Sequence, residues 1–169
     1  MWNQFYEKRV NSSYQDYFET RYAPFLSQIL QLAPVKILEE GCGIASVSKA
    51  LVKHNIECQG YDICPKIVNL AKENTSLSAF FVDDILQSNH SADLAITHGV
   101  LEHFTDNQLV TIFERYKENK QRSIHYVPLE GYSKPSYGDE RLLPYTYWLK
   151  MAKPVKFGLF NQYDFWFIV

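Results

Sequence analysis

Val35-Lys36-Ile37-Leu38-Glu39-Glu40-Gly41-Cys42-Gly43-Ile44-Ala45-Ser46 is the stretch on which the fold turns. A short β-prone run at residues 35–38 closes on two acids and a Gly-Cys-Gly turn. Beyond Ile44 the period changes, and Val47, Ala50, Leu51 and His54 fall on one helical face. A strand that runs through a glycine turn into a helix is the opening unit of a parallel α/β sheet. Glycine lets the backbone turn tightly and approach a ligand without a Cβ in the way. The helix start behind it offers free N–H groups and a partial positive charge.

The same alternation continues outward. Residues 57–62 read as a second strand, and Pro65 opens a helix whose buried face carries Ile67, Leu70 and Ala71. Strands follow at 79–82 and 92–97, with a link too short for a regular helix between them. Leu109, Ile112, Phe113 and Tyr116 mark an amphipathic helix, and a fifth strand at 123–127 stops at Pro128. A Gly-, Ser-, Pro- and Tyr-rich loop runs to Pro144, then a helix at 145–152. The tail reads as two strands, 155–160 and 163–169, turning near Asn161-Gln162. Before the first strand, Tyr14, Phe18, Tyr22, Phe25 and Ile29 mark one or two helices interrupted at Pro24. The predicted fold is α/β: a doubly wound, mostly parallel, seven-stranded Rossmann-like sheet with an antiparallel C-terminal edge hairpin and helices on both faces.

Composition bounds the function classes. The chain has 169 residues, which favours a single domain. A net charge of −2 excludes a module that binds nucleic acid through global basic charge. Hydrophobic content of 46% against 21% charged excludes a disordered chain. No apolar run approaches the roughly 18 residues that span a bilayer, and Met1 to Val10 lacks the apolar core of a secretory signal, so no membrane partner and a cytoplasmic location are expected. Cys42, Cys58 and Cys64 form no C-x-x-C pair, so neither a disulfide framework nor a metal site is expected.

In a sheet of this kind, ligands bind at the carboxyl ends of the strands beside the switch point. Gly41–Gly43, Asp62, Asp83-Asp84 and Thr97–Gly99 all fall at such ends. An acid at Asp62 can accept from both hydroxyls of a ribose. Asp84 can accept from an exocyclic amine. Together they describe a pocket for an adenosine nucleoside. The dinucleotide fingerprint G-x-G-x-x-G is incomplete, because its last position holds Ser46. Glu39 and Glu40 suit a pyrophosphate poorly and a positively charged amino-acid group well.

These residues resemble the class I S-adenosylmethionine-dependent methyltransferases, small-molecule type. Ile37-Leu38-Glu39-Glu40-Gly41-Cys42-Gly43 is similar to the family's first motif, with Glu39 as its acid. GYDICPKIVNLAKEN (60–74) resembles the second, which implies Asp62 on the ribose with Ile63 beside it. VDDI (82–85) resembles the third, which implies Asp84 at the adenine amine, Ile85 along the ring, and Asp83 beside them. ADLAITHGVLEHF (92–104) is similar to the fourth, which brings Thr97 and His98 to the cofactor. The resemblance implies S-adenosyl-L-methionine as cofactor, S-adenosyl-L-homocysteine as product, and transfer to O or N of a small organic acceptor. The nucleobase amino-methyltransferase signature [N/D/S]-P-P-[Y/F/W] is absent, so no nucleic-acid partner is expected.

Plainer readings stand beside these. Gly41 and Gly43 can serve only a tight turn, Asp62 only a helix start, and Cys42 only space. His98 and His103 are candidate general bases, with a packed polar histidine as the alternative. Tyr126, Tyr132 and Tyr137 are candidate acceptor contacts or loop anchors, and Gly138-Asp139-Glu140-Arg141 reads as a source of structural ion pairs. The chain divides into an N-terminal helical lid (1–34), a cofactor-binding core (35–127) and an acceptor-side segment (128–169). The lid is expected to form from Tyr6, Tyr14, Arg21 and Tyr22 with the loop at 132–137, or from a second copy of the chain in a homodimer. Arg21, the basic residue among those aromatics, is expected to meet the cofactor carboxylate. The rival readings are a nicotinamide-dependent oxidoreductase and a non-catalytic member that binds only the cofactor or a partner protein.

Overall fold

Alternation along the strands sorts the core into two layers. In β1 (Lys36–Glu40), Ile37 faces one helical layer and Leu38 the other. The same holds in β4 (Leu94–His98), β5 (Ser123–Pro128) and β7 (Asp164–Ile168). Ile96, Ile124 and Trp166 face the first layer; Ala95, Val127 and Phe165 face the second. Side chains one apart in a strand point to opposite faces, so strands apolar at both parities suit a sheet covered on both sides. The computed structural model describes residues 2–132 and 139–169.

The first layer is built from α2 (Ser12–Arg21), α3 (Ala23–Gln31) and α4 (Ser46–Val52), through Phe18, Phe25, Ile29, Val47 and Leu51. The second is α6 (Asp106–Glu118) and α7 (Tyr145–Ala152), through Leu109, Ile112, Tyr116 and Trp148. Beside β2 (Glu57–Asp62) and β3 (Phe80–Val82), α5 (Pro65–Thr75) packs Val68 and Ala71 on Phe80. Pro24 and Pro65 sit in the first turns of α3 and α5, where the missing N–H costs nothing.

The sheet runs β3-β2-β1-β4-β5-β7-β6, where β6 is Lys156–Phe160. All pairs are parallel except those of β7, which is antiparallel to both β5 and β6. The hairpin lies where the sequence places it and adds a detail. The later strand is the inner one, and β6 forms the edge with Phe157 and Leu159 exposed. Asn161 and Gln162 make the turn with positive φ of 47° and 70°. Between β3 and β4 there is a turn rather than a helix, closed by the N–H groups of Gln87 and Ser88 on the Asp84 carbonyl. The chain reverses its lateral direction between β1 and β4, which sets the switch point at their carboxyl ends. Among the described residues, no helix is long and apolar enough to cross a membrane.

Candidate active site

The turn after β1 is fixed by its neighbours before any ligand is considered. The Cys42 N–H continues the ladder onto the Tyr61 carbonyl at 2.8 Å, and the Asn74 amide holds the Ile44 carbonyl at 2.8 Å. Gly41 and Gly43 both take positive φ, 64° and 53°. A Cβ on Gly41 would stand 2.9 Å from the Val100 side chain, and one on Gly43 would stand 2.8 Å from the Tyr6 hydroxyl. Both positions therefore need glycine for conformation and for close approach.

Glu39 and Glu40 are adjacent in sequence and face opposite sides of the sheet. Glu39 is buried, and its Oε2 accepts from the Ser48 N–H at 2.9 Å and from the Ser48 hydroxyl. Burial pushes its carboxyl up to about 7 against those hydrogen bonds. Glu40 accepts from the Tyr61 hydroxyl at 2.8 Å, from Arg115 at 2.9 Å, and from the Tyr116 hydroxyl. It belongs to the second core layer and lines neither cavity, which corrects its reading as a ligand-facing acid. Glu39 ties the glycine turn to α4.

Beyond the turn lies a cavity of about 590 Å³ that meets Asp62, Ile63, Asp83, Asp84 and Ile85. The two Asp62 oxygens accept from the Gly43 N–H at 3.1 Å and the Cys64 N–H at 3.0 Å, which orients the carboxylate while leaving lone pairs over. Burial raises its pKa, and those two N–H groups oppose the rise. Asp83 accepts from the Asp84 N–H, and Asp84 from the Leu86 N–H. Of the residues expected at the cofactor, Thr97 is turned away: it is fully buried, and its hydroxyl lies 2.8 Å from His125 Nδ1 inside the second layer.

A smaller cavity of about 170 Å³ adjoins the first. Its aromatic wall comes from Tyr14, Phe18 and Tyr22 of α2 and its C-terminal end, together with Tyr126 and Tyr132. Tyr6, on α1 (Trp2–Glu7), lines both cavities, as do Gly41, Gly99 and His103. Tyr137 lies outside the described residues. His98 lies in the smaller cavity's wall, stacked on Tyr126 at 4.4 Å and edge-on to Tyr22 at 4.3 Å. Its Nε2 is buried without a hydrogen-bond partner among the described residues. Burial lowers its pKa to about 3, so at neutral pH it is an uncharged ring and a poor proton acceptor.

Arg21 is placed elsewhere than the sequence reading had it. Its guanidinium pairs with the fully buried Asp164 at 2.7 Å, and Asp164 also accepts from the Tyr126 hydroxyl at 2.6 Å. It lines neither cavity and instead props the aromatic wall from behind. Sequence reasoning overlooked Glu102 and gave Glu140 only a structural ion-pair role. After Gly99, a 3₁₀ turn at Leu101–His103 buries Leu101 in the core and presents the next two side chains to the cavities. Glu102 is 3% exposed, and its Oε2 has no partner among the described residues. Burial, with the Glu140 and Asp139 carboxylates adding to it, pushes its carboxyl up to about 8. The signal in the sequence was the Glu-His pair at the end of the fourth motif, of which only the histidine drew attention. Of the run at 138–141, read as a source of ion pairs, Gly138 lies outside the described residues, and Arg141 pairs with Asp106 at 2.5 Å.

A parallel sheet with a Gly-x-Gly turn, an acid after β2 and a paired cavity at the switch point defines a class I methyltransferase, the class whose methyl donor is S-adenosylmethionine. The comparisons agree. Residues 37–119 match the family described as a methyltransferase domain, and this match, with the structural neighbours, supports a class I S-adenosylmethionine-dependent methyltransferase. No curated protein matches the sequence. Among solved structures, a protein of Pyrococcus horikoshii superposes with a TM-score of 0.77 at 17% identity, over 94% of this chain and 92% of that one. Human N-acetylserotonin methyltransferase in complex with S-adenosylmethionine gives 0.74 at 15% identity, over 99% of this chain and 55% of that one. Magnesium protoporphyrin IX methyltransferase from Synechocystis with bound S-adenosylhomocysteine gives 0.69 at 17%, over 95% and 84%.

The residues present fit the cofactor. The larger cavity reaches the turn at Gly41 and offers an oriented carboxylate, Asp62, among apolar Ile63, Ile67 and Ile85.

Proposed function

We propose that this chain moves a methyl group from S-adenosylmethionine to an oxygen or nitrogen of a small organic acceptor. The observation that carries this reading is the pair of adjoining cavities that share Tyr6, Gly41, Gly99 and His103. One has the donor set of a nucleoside site; the other is small and aromatic. In this reading Asp62 holds the ribose hydroxyls, Asp84 the adenine amine, and Ile63 and Ile85 the ring. The smaller cavity takes the acceptor.

S-adenosylmethionine supplies a methyl already activated on a sulfonium. The protein's task is then alignment and exclusion of water, and the aromatic wall favours positive charge near it. His98 is withdrawn from the role of general base by its burial. His103, which lines both cavities and contacts Asp139 at 2.9 Å, is the histidine that can meet the acceptor. In this reading Tyr6, Tyr14, Tyr22 and Tyr132, which line the smaller cavity, belong to a lid made by the N-terminal helices and the loop after β5.

Calorimetry tests the reading. S-adenosylhomocysteine should bind and NADH should not. Asp62→Ala removes charge-assisted hydrogen bonds of about 1.5–3 kcal/mol each and should weaken S-adenosylhomocysteine at least about tenfold. Absence of heat at millimolar S-adenosylhomocysteine, or binding of NADH in its place, would reject it.

A further inference from the structure

Three metal-type donors converge where the two cavities meet, and a fourth acid, Glu102, lines the wall of one of those cavities. His103, Asp139 and Glu140 each offer a ligand atom, and these atoms lie within 4.8 Å of one another. Asp139 reaches His103 Nδ1 at 2.9 Å from a loop far along the chain. That loop is held in place independently of any ligand, by the Arg141 N–H on the Glu102 carbonyl at 2.9 Å and by Arg141 on Asp106. The Glu102 side chain lines the same cavity as His103 and Glu140, is 3% exposed, and carries an oxygen with no partner among the described residues.

Asp139 and Glu140 set like charges beside an imidazole, and the nearby buried Glu102 carboxyl, with no partner on Oε2 among the described residues, is costly to ionise unless something cationic meets it. Asp83 and Asp84, by contrast, each accept a backbone N–H from their own turn. Charge and donor type thus single out the Glu102 cluster.

We propose that Glu102, His103, Asp139 and Glu140 bind one divalent metal ion at the junction of the two cavities. One imidazole with carboxylate oxygens and no thiolate suits Mn²⁺ or a similar first-row ion. This replaces the expectation of no metal, which rested on cysteine spacing alone. A consequence, which rests on the methyl-transfer reading, is that the acceptor offers an oxygen ligand to the ion. A hydroxyl or carboxylate so held would be anchored beside the transferred group, and coordination lowers the pKa of a hydroxyl.

The test uses the full chain and Mn²⁺ alone, read by the loss of the free-ion electron paramagnetic resonance signal. One equivalent should bind. Glu102→Gln and Glu140→Gln should each weaken it at least about tenfold, the scale on which even outer partners of a metal act. Glu118→Gln, on α6 away from the cluster, should not. Asp139→Asn, whose side chain is 63% exposed, gives the same readout without touching the core. No binding at millimolar Mn²⁺, or equal binding by wild type and the Glu102, Glu140 and Asp139 variants, overturns the proposal. S-adenosylhomocysteine calorimetry in metal-free buffer separates that outcome from failure of the methyl-transfer reading.

Discussion

The larger cavity and the smaller one are built in different ways. The larger is a product of local sequence: three consecutive strand ends, each followed by its own turn, bring Gly41, Asp62 and Asp84 together because neighbouring parallel strands end at one edge. The smaller adds to the glycine turn a set of distant pieces: α1, α2, the turn after β4, the end of β5, and Tyr132, Glu140 and Leu142. Backbone conformation fixes the first, while long-range side-chain pairs fix the second. Changes in the first should therefore act on ligand affinity, and changes behind the second on stability.

The largest effect expected on that contrast is at Arg21. Arg21→Ala leaves the buried Asp164 without its cation, and removing one partner of a buried pair costs about 3–5 kcal/mol. Chemical denaturation should show that loss, while S-adenosylhomocysteine affinity of the folded fraction stays within twofold. The reverse pattern would return Arg21 to the cofactor carboxylate.

Gly43→Val attacks the other region. Its φ of 53° and the Tyr6 hydroxyl 2.8 Å from a Cβ make any side chain strained. Strain of this kind costs about 1–3 kcal/mol. S-adenosylhomocysteine affinity should fall roughly tenfold to a hundredfold by calorimetry. Unchanged affinity would mean that the turn only connects strand to helix.

A smaller effect separates the core from both cavities. His125 is buried between the Thr97 and Ser123 hydroxyls, each at 2.8 Å, and burial lowers its pKa to about 3. Its folded pKa lies below the unfolded value of about 6.5. The unfolded chain therefore binds more protons between those values, and the contribution to stability is present above about pH 6.5 and lost as pH falls toward 3. Melting temperature should drop from pH 7 to pH 4, and His125→Asn should flatten that slope by about one proton, or about 1.4 kcal/mol per pH unit. A slope that His125→Asn leaves unchanged would show that the ring stays neutral in both states or is charged in both.

What the sequence disclosed follows the same division. Strands, helix starts and the glycine turn depend on spacing within a few residues, so residues 37–46, Pro65 and Asn161-Gln162 were read as they fold. Asp62 and Asp84 could be placed at one cavity because strand ends share an edge. Glu40 was misplaced because sequence gives the parity of neighbours but not which face has Tyr61, Tyr116 and Arg115 waiting. Arg21 was misplaced because its partner is 143 residues away. Glu102 was passed over because its burial depends on the chain at 139–141, which returns to it only in the fold.

The central claim is that the carboxyl edge of β1, β2 and β3 holds S-adenosylhomocysteine, with its reactive end at the junction lined by Tyr6 and His103. Hydrogen exchange with and without that ligand tests it most directly. Residues 41–46, 60–64 and 83–86 should gain protection, together with α1, while β6 and β7 exchange as before. Protection absent from 41–46 and 60–64, or confined to the C-terminal hairpin, would contradict the account.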